Sequence, residues 1–208
     1  MTRAVVFDVD GVLVHGYHAR PERQRRWDEN LLADLGVDPD RFREEFIFDI
    51  FIKKVIIGEM ALIEALDKRL PGLGYAGSPM AFAQYWLAND SRVNSELLDA
   101  IRVLKARDDV RLYVATNQDH MRAQWLWQTL GFGDLFEDIF YSARIGMTKA
   151  HKGFFSFADD RMGKSDEPPL FFDDTQKVID VARSCGWDAV LFDTNRQFFD
   201  HPWVKARL

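Results

Sequence analysis

The chain has 208 residues, with 27 Lys and Arg against 33 Asp and Glu, for a formal net charge of −6 and a single cysteine, Cys185. Its 47% hydrophobic and 29% charged residues are those of a folded globular protein, and an acidic balance without blocks of like charge argues against nucleic acid or an anionic membrane as partner. One cysteine excludes an internal disulfide framework and any Cys-rich zinc module, while 17 Phe and 6 Trp are a surplus whose placement needs an explanation.

The first apolar run, Ala4–Phe7, has strand length. It is interrupted soon after by Asp8 and Asp10, and neither a signal-type apolar region nor a small-residue cleavage site follows. No segment reaches the ~18 apolar residues of a membrane span, so a cytoplasmic protein is expected.

From Val9 to the next strand at Val110 the chain runs about 100 residues, far more than the dozen a crossover between parallel strands needs. Helical periodicity fills that stretch. Helices are predicted over Glu22–Leu35, Asp40–Val55, Glu59–Leu70 and Pro79–Ala88, punctuated by Gly36, Gly58 and the turn cluster Pro71-Gly72-Leu73-Gly74.

After it come an amphipathic helix around Leu97–Lys105, the strand Val110–Val114, a helix over Asp119–Leu130 stopped by Gly131, and a weaker strand at Asp138–Ser142. The strand Leu170–Phe172, a helix capped by Thr175 and ended near Gly186, and the strand Ala189–Phe192 complete the series. Near-continuous Val, Leu and Phe in these strands points to burial on both faces. The expected fold is therefore α/β, a doubly wound and mostly parallel sheet with an inserted all-helical element. The boundaries are residues 1–15 plus 94–208 for the α/β core and 16–93 for the helical insert.

In an open parallel sheet, ligands bind beyond the carboxyl ends of the strands. The first strand ends in Asp8-Val9-Asp10-Gly11, the second in Ala115-Thr116-Asn117, and the fourth in Asp173-Asp174. Such carboxylates repel one another when buried together, and a hard divalent cation relieves that repulsion, which favours Mg²⁺. Thr116 and Asn117 stand where a strand hands over to a helix, a place suited to an anion, although Asn117 read alone is equally a helix cap. A dianionic phosphate beside carboxylates calls for a cation besides the metal. Lys149 and Lys152 both lie in the loop after the third strand, and composition does not separate them.

These segments, in this order, resemble the motifs of the haloacid dehalogenase (HAD) superfamily. Val6-Phe7-Asp8-Val9-Asp10-Gly11 is similar to its DxDG loop, Val114-Ala115-Thr116-Asn117 to its second motif, Gly146-x-x-Lys149 to its third and Leu170-Phe171-Phe172-Asp173-Asp174 to its fourth. The resemblance implies a Rossmann-like core, with the insert as a helical C1 cap domain. It also implies phosphoryl transfer, with Asp8 as nucleophile forming an aspartyl-phosphate and Asp10 as general acid and base. Mg²⁺ would be held by Asp8, the Asp10 backbone carbonyl and Asp174, with Asp173 assisting. Thr116, Asn117 and Lys149 would cradle the phosphoryl oxygens. Asp10, which dehalogenase members lack, selects phosphatase or phosphomutase. Ala150 and Val178 depart from the family pattern, which usually has Pro and an Asn or Asp at those places.

Within the superfamily the short cap and the segments Ala115–Gln118 and Ile57–Glu59 look most like the YihX-like sugar-phosphate phosphatases. The function expected is hydrolysis of a small phosphorylated metabolite, a sugar phosphate or similar, by a monomer or homodimer. The alternatives are a phosphomutase of the beta-phosphoglucomutase type and a non-catalytic phospho-ligand binder. In the insert, Phe42, Phe46, Phe48 and Phe51 have the spacing of a helix face and are expected to form mostly its core. His15, His18, Arg20 and Arg23 are polar candidates near the hinge, with a surface or hinge role expected for the two histidines.

Overall fold

In the computed structural model, which describes residues 2–208, five parallel strands form one sheet: β1 (Arg3–Phe7), β2 (Val110–Thr116), β3 (Asp138–Tyr141), β4 (Leu170–Asp173) and β5 (Asp188–Leu191). Their order is β3-β2-β1-β4-β5, so the chain starts in the middle, builds outward on one side, and then crosses back to build on the other. The reversal falls between β1 and its neighbours, which is where a parallel sheet opens a crevice beyond its strand ends. β1 pairs with β2 from Arg3 opposite Val110 to Phe7 opposite Val114, and with β4 from Val5 opposite Leu170 to Phe7 opposite Phe172.

Alternation along β1 sends Val5 and Phe7 into one apolar layer, with Leu97, Ile101 and Phe198, and Ala4 and Val6 into the other, with Phe154, Phe155 and Ile179. Both faces are covered, which explains the continuous apolar runs. Much of the aromatic surplus fills these layers; Phe7, Phe172 and Phe198, for example, stand with ring centroids 5.4–5.8 Å apart.

The chain leaves the sheet layer at Val14–His15 and returns at Arg92–Asn94. These two passes are hydrogen-bonded to one another, His15 N to Arg92 O at 2.7 Å and Asn94 N to Leu13 O at 2.8 Å. Between them lies a helical layer with its own apolar cluster, including Leu31, Phe46, Leu66, Phe82 and Trp86. It is pinned to the core at a second place, where Ser142 Oγ donates to Ile56 O at 2.5 Å.

The helices of this layer follow the sequence in part. Pro79–Asn89 matches closely, and Leu62–Arg69 is the core of the expected Glu59–Leu70. Glu22–Leu35 is not one helix: a 3₁₀ turn at Pro21–Arg23 and a short helix at Leu31–Leu35 flank an irregular stretch. That stretch is held open by Arg26, whose guanidinium grips the buried Asp28 at 2.8 Å.

Over Asp40–Val55 a short α-helix, Pro39–Phe42, runs into a π-helix, Arg43–Val55. Its wider turn, closed by i→i+5 hydrogen bonds, lengthens the side-chain period to between four and five residues. Phe42, Phe46, Phe51 and Val55 therefore share the buried face. Phe48 does not: it is 56% exposed, so its expected place in the core is corrected. Among the described residues, no helix is long and apolar enough to cross a membrane.

Candidate active site

Asp8 follows directly on β1 and is fixed there by its backbone, whose N–H donates to Phe172 O on β4 at 2.9 Å. Its carboxylate accepts from Val9 N at 2.7 Å and lies 2.6 Å from Lys149 Nζ. The same ammonium lies 2.6 Å from Asp173 Oδ2 at the end of β4. Lys149 is only 2% exposed, whereas Lys152 is on the surface, so the structure separates the two lysines that composition could not. Asp8, Asp173 and Asp174 are all buried and offer oxygens within 4.8 Å of one another.

Burial raises the Asp8 carboxyl well above the usual carboxylate range. Lys149 opposes that rise, and Asp173 and Asp174 add to it. Asp174 is raised as well, mainly by burial. Burial alone would lower Lys149, yet Asp173 and Asp8 outweigh it and hold the ammonium protonated. Three buried carboxylates against one ammonium leave an excess of negative charge on hard oxygen donors, which is the donor set that suits Mg²⁺.

Gly11 makes this approach possible. Its φ of +80° is in the left-handed region, and a Cβ there would run into the Asp174 carboxylate. Asp174 is further held by Ala19 N at 2.6 Å and by the Thr175 hydroxyl at 3.0 Å. Thr175 occupies the N-cap of the helix Gln176–Ser184, as expected, but its hydroxyl is turned to the carboxylate and makes no capping hydrogen bond.

Thr116 ends β2, 1% exposed, and it lines with Asn117 the cavity that opens above Asp8. Asn117 is not a helix cap. Asp119 is, accepting from Met121 N at 2.8 Å, and Asn117 Oδ1 instead accepts from Lys149 N at 2.9 Å, which holds the lysine loop against β2. The expected constellation of Asp8, Asp10, Thr116, Asn117, Lys149, Asp173 and Asp174 is thus brought together around one floor.

Three further groups at this floor had not been singled out. Arg122, 4% exposed, places one nitrogen 2.8 Å from Asp10 Oδ1 and another 2.5 Å from Asp90 Oδ2, and Gln118 Nε2 donates to the other Asp10 oxygen. Asp90 belongs to the insert, at the C-terminal end of Pro79–Asn89. A cation in the first turn of a helix opposes the helix dipole, and this was the one sequence signal that could have marked Arg122.

The hinge candidates divide. His15 is exposed, and Arg20 and Arg23 pair with Asp193 beyond β5 rather than entering the cavity. His18, expected in a surface or hinge role, is buried: Arg20 N donates to its Nδ1, which lies 3.3 Å from Asp174 Oδ2.

Comparison with known proteins places this geometry in a family. Residues 2–186 match the family described as haloacid dehalogenase-like hydrolase. Phosphatase MT3486 of Mycobacterium tuberculosis (strain CDC 1551 / Oshkosh) is 30% identical over 211 residues, covering 95% of this chain and 90% of its own. Among solved structures, a HAD family enzyme from Bacteroides thetaiotaomicron in complex with magnesium and inorganic phosphate is 20% identical. It superposes with a TM-score of 0.71 over 91% of this chain and 93% of its own. A structure described as a predicted HAD-like family hydrolase from Porphyromonas gingivalis is also 20% identical, with a TM-score of 0.70 over 99% of this chain and 96% of its own. These last two are likenesses of fold. With the family match spanning most of the chain and the 30% relative nearly all of it, this protein belongs to the haloacid dehalogenase-like hydrolases.

Proposed function

We propose that the protein is a Mg²⁺-dependent phosphatase that hydrolyses a small-molecule phosphate monoester through an aspartyl-phosphate on Asp8. The observation that carries this reading is the floor itself: a carboxylate at the end of the central strand, 2.6 Å from a buried ammonium, with a second carboxylate two residues on that lines the same cavity. The naming of a 30% relative as a phosphatase, and the magnesium and inorganic phosphate held by a structure of similar fold, support it.

Asp8, the Asp10 backbone carbonyl and Asp174 would hold the metal, with Asp173 anchoring Lys149. When bound, Mg²⁺ neutralises phosphoryl oxygens and aligns them with Asp8. A carboxylate oxygen of Asp8 attacks phosphorus, the bond from phosphorus to the ester oxygen breaks, and Asp10 gives its proton to the departing alkoxide. Asp10, now a carboxylate, removes a proton from water as that water attacks the phosphoryl group. Inorganic phosphate leaves and Asp8 is regenerated. Thr116 Oγ1, Asn117 and Lys149 Nζ bind the phosphoryl oxygens, where fixed donors in a dry site are strongest. Residues 16–93 act as a cap that excludes water from the intermediate.

Release of inorganic phosphate from p-nitrophenyl phosphate tests the reading. It requires Mg²⁺, stops with EDTA, and disappears in Asp8→Asn. Turnover by Asp8→Asn at the parental rate overturns the nucleophile. Isomerised ester without free phosphate indicates a mutase, and tight binding without turnover indicates a phospho-ligand binder.

A further inference from the structure

The cavity above the carboxylates has a volume of about 520 Å³, within the range of ~300–1,000 Å³ that holds small ligands. Its floor is polar, as described. Its roof, from the insert, carries a broad apolar face beside polar groups at its edge. Trp27 and Trp86 stack there with centroids 5.0 Å apart, beside Ile47, Phe48 and Ile52 of the π-helix and Ile56 at its C-terminal end.

Four- to five-residue spacing explains this second face: positions 47 and 48, 52, and 56 recur on it just as 42, 46, 51 and 55 recur on the buried one. Phe48 is 56% exposed and Ile52 45%, and these two and Tyr17, three of the seven exposed large hydrophobic residues among those described, border this one cavity. Single exposed apolar residues need no explanation, but their concentration around a binding cavity does.

Several of the insert's polar groups are paired already, while Arg25 and Arg43 stand at the cavity's edge. Arg26 grips Asp28 and reaches Asp40, Asp90 pairs with Arg122, and Gln24 Nε2 donates to His18 O. A polyol lying along the face of Trp27, Trp86, Phe48 and Ile52 would lose water from its hydroxyls and find few partners there, at a cost for each unsatisfied group.

Resting on the phosphatase reading above, we infer that the alcohol part of the substrate is apolar: the site takes the phosphate monoester of an alkyl or aryl alcohol and not a sugar phosphate. The phosphate sits among Thr116, Asn117 and Lys149, and the hydrocarbon extends upward between the tryptophan pair and Phe48 and Ile52. Hydrolysis follows the steps already given, with the apolar alcohol as the group that receives the proton from Asp10.

The test is a homologous series of n-alkyl phosphates from ethyl to octyl, assayed with Mg²⁺ for phosphate release. The leaving-group basicity is nearly constant across the series, so only burial changes. kcat/KM is expected to rise about three- to fourfold for each methylene that enters the cavity and then to level off. Glucose 6-phosphate is expected to fall at least about 100-fold below the best alkyl ester. In Phe48→Asn/Ile52→Asn, which alters two exposed side chains and so spares the fold, the slope is expected to drop below about twofold per methylene.

Calorimetric binding of the matching alkylphosphonates to the Mg²⁺-loaded protein gives the same slope without turnover. Absence of hydrolysis for every ester would sink the phosphatase reading, while the phosphonate slope would still decide the nature of the pocket. A flat series, a preference for the sugar phosphate, or an unchanged slope in the double variant overturns the inference.

Discussion

Arg122 stands buried between two carboxylates that would otherwise face one another. Its nitrogens lie 2.8 Å from Asp10 and 2.5 Å from Asp90. At charge separations near 4 Å and an effective dielectric of about 20, each pair contributes roughly 4 kcal/mol of attraction, most of which offsets the desolvation of the ions. Arg122→Gln removes the cation and leaves two partly buried anions, a change that costs about 3–5 kcal/mol of folding stability. The urea midpoint should fall accordingly with an unchanged m value.

Asp90→Asn combined with Arg122→Gln removes one of the stranded anions and should recover a large part of the loss, a coupling that a double-mutant cycle reads directly. Catalysis separates positioning from stability. Asp10, freed to turn away, protonates the departing oxygen less well, which matters for an alkoxide and little for p-nitrophenolate. Under conditions where the variant is folded, kcat for an alkyl phosphate should fall by about 100-fold and that for p-nitrophenyl phosphate by far less. An equal loss on both esters, or a single variant as stable as the parent, would refute the reasoning.

Other outcomes follow from the same floor. Burial, with repulsion between neighbours, raises the Asp8 and Asp174 carboxyls, and burial lifts Asp90 to about 6. Each keeps in the folded state a proton that the unfolded chain has released, so the metal-free protein should lose stability as pH rises from about 4 to about 6. Mg²⁺ bound there would take the place of the protons on Asp8 and Asp174, so its effect on Tm should grow as pH rises above the usual carboxylate range, and a pH-independent effect would argue against metal on these acids. Lys149→Met strands Asp8 and Asp173. It should lower kcat about 100- to 1,000-fold and shift unfolding in EDTA more than in Mg²⁺, as denaturation with each would reveal. Gly11→Ala forces a left-handed alanine against Asp174, and should lower stability by more than about 1 kcal/mol and weaken Mg²⁺ binding in a calorimetric titration.

What the sequence carried and what it hid divide along physical lines. Strands buried on both faces announce themselves as apolar runs, and the acids that must follow them are fixed by one residue of register, so Asp8, Asp173 and Asp174 were legible. The partners that orient those acids were not, because they come from distant segments. Asp90 lies 80 positions from Asp10 and joins it only through Arg122. The π-helix was invisible for a different reason: a period of 3.6 and one near 4.4 place Phe42 and Phe46 together alike, and diverge only by Phe48 and Phe51. The broken Glu22–Leu35 segment had helical spacing, but the Arg26–Asp28 pair competes with a helix there and wins.

The position of Asp90 gives the fold a consequence that neither layer has alone. The insert joins the core through two passes of chain, and one of the carboxylates proposed for catalysis is tied to the insert beside each of them. Asp174 accepts from Ala19 N just beyond the first pass, and Asp10 reaches Asp90 through Arg122 just before the second. Any displacement of the insert relative to the core would act through Ala19 and Asp90 on Asp174 and Asp10, the metal ligand and the proton donor proposed above. For the aspartyl-phosphate mechanism proposed above, that coupling would tie the geometry of both acids to the position of the insert over the cavity.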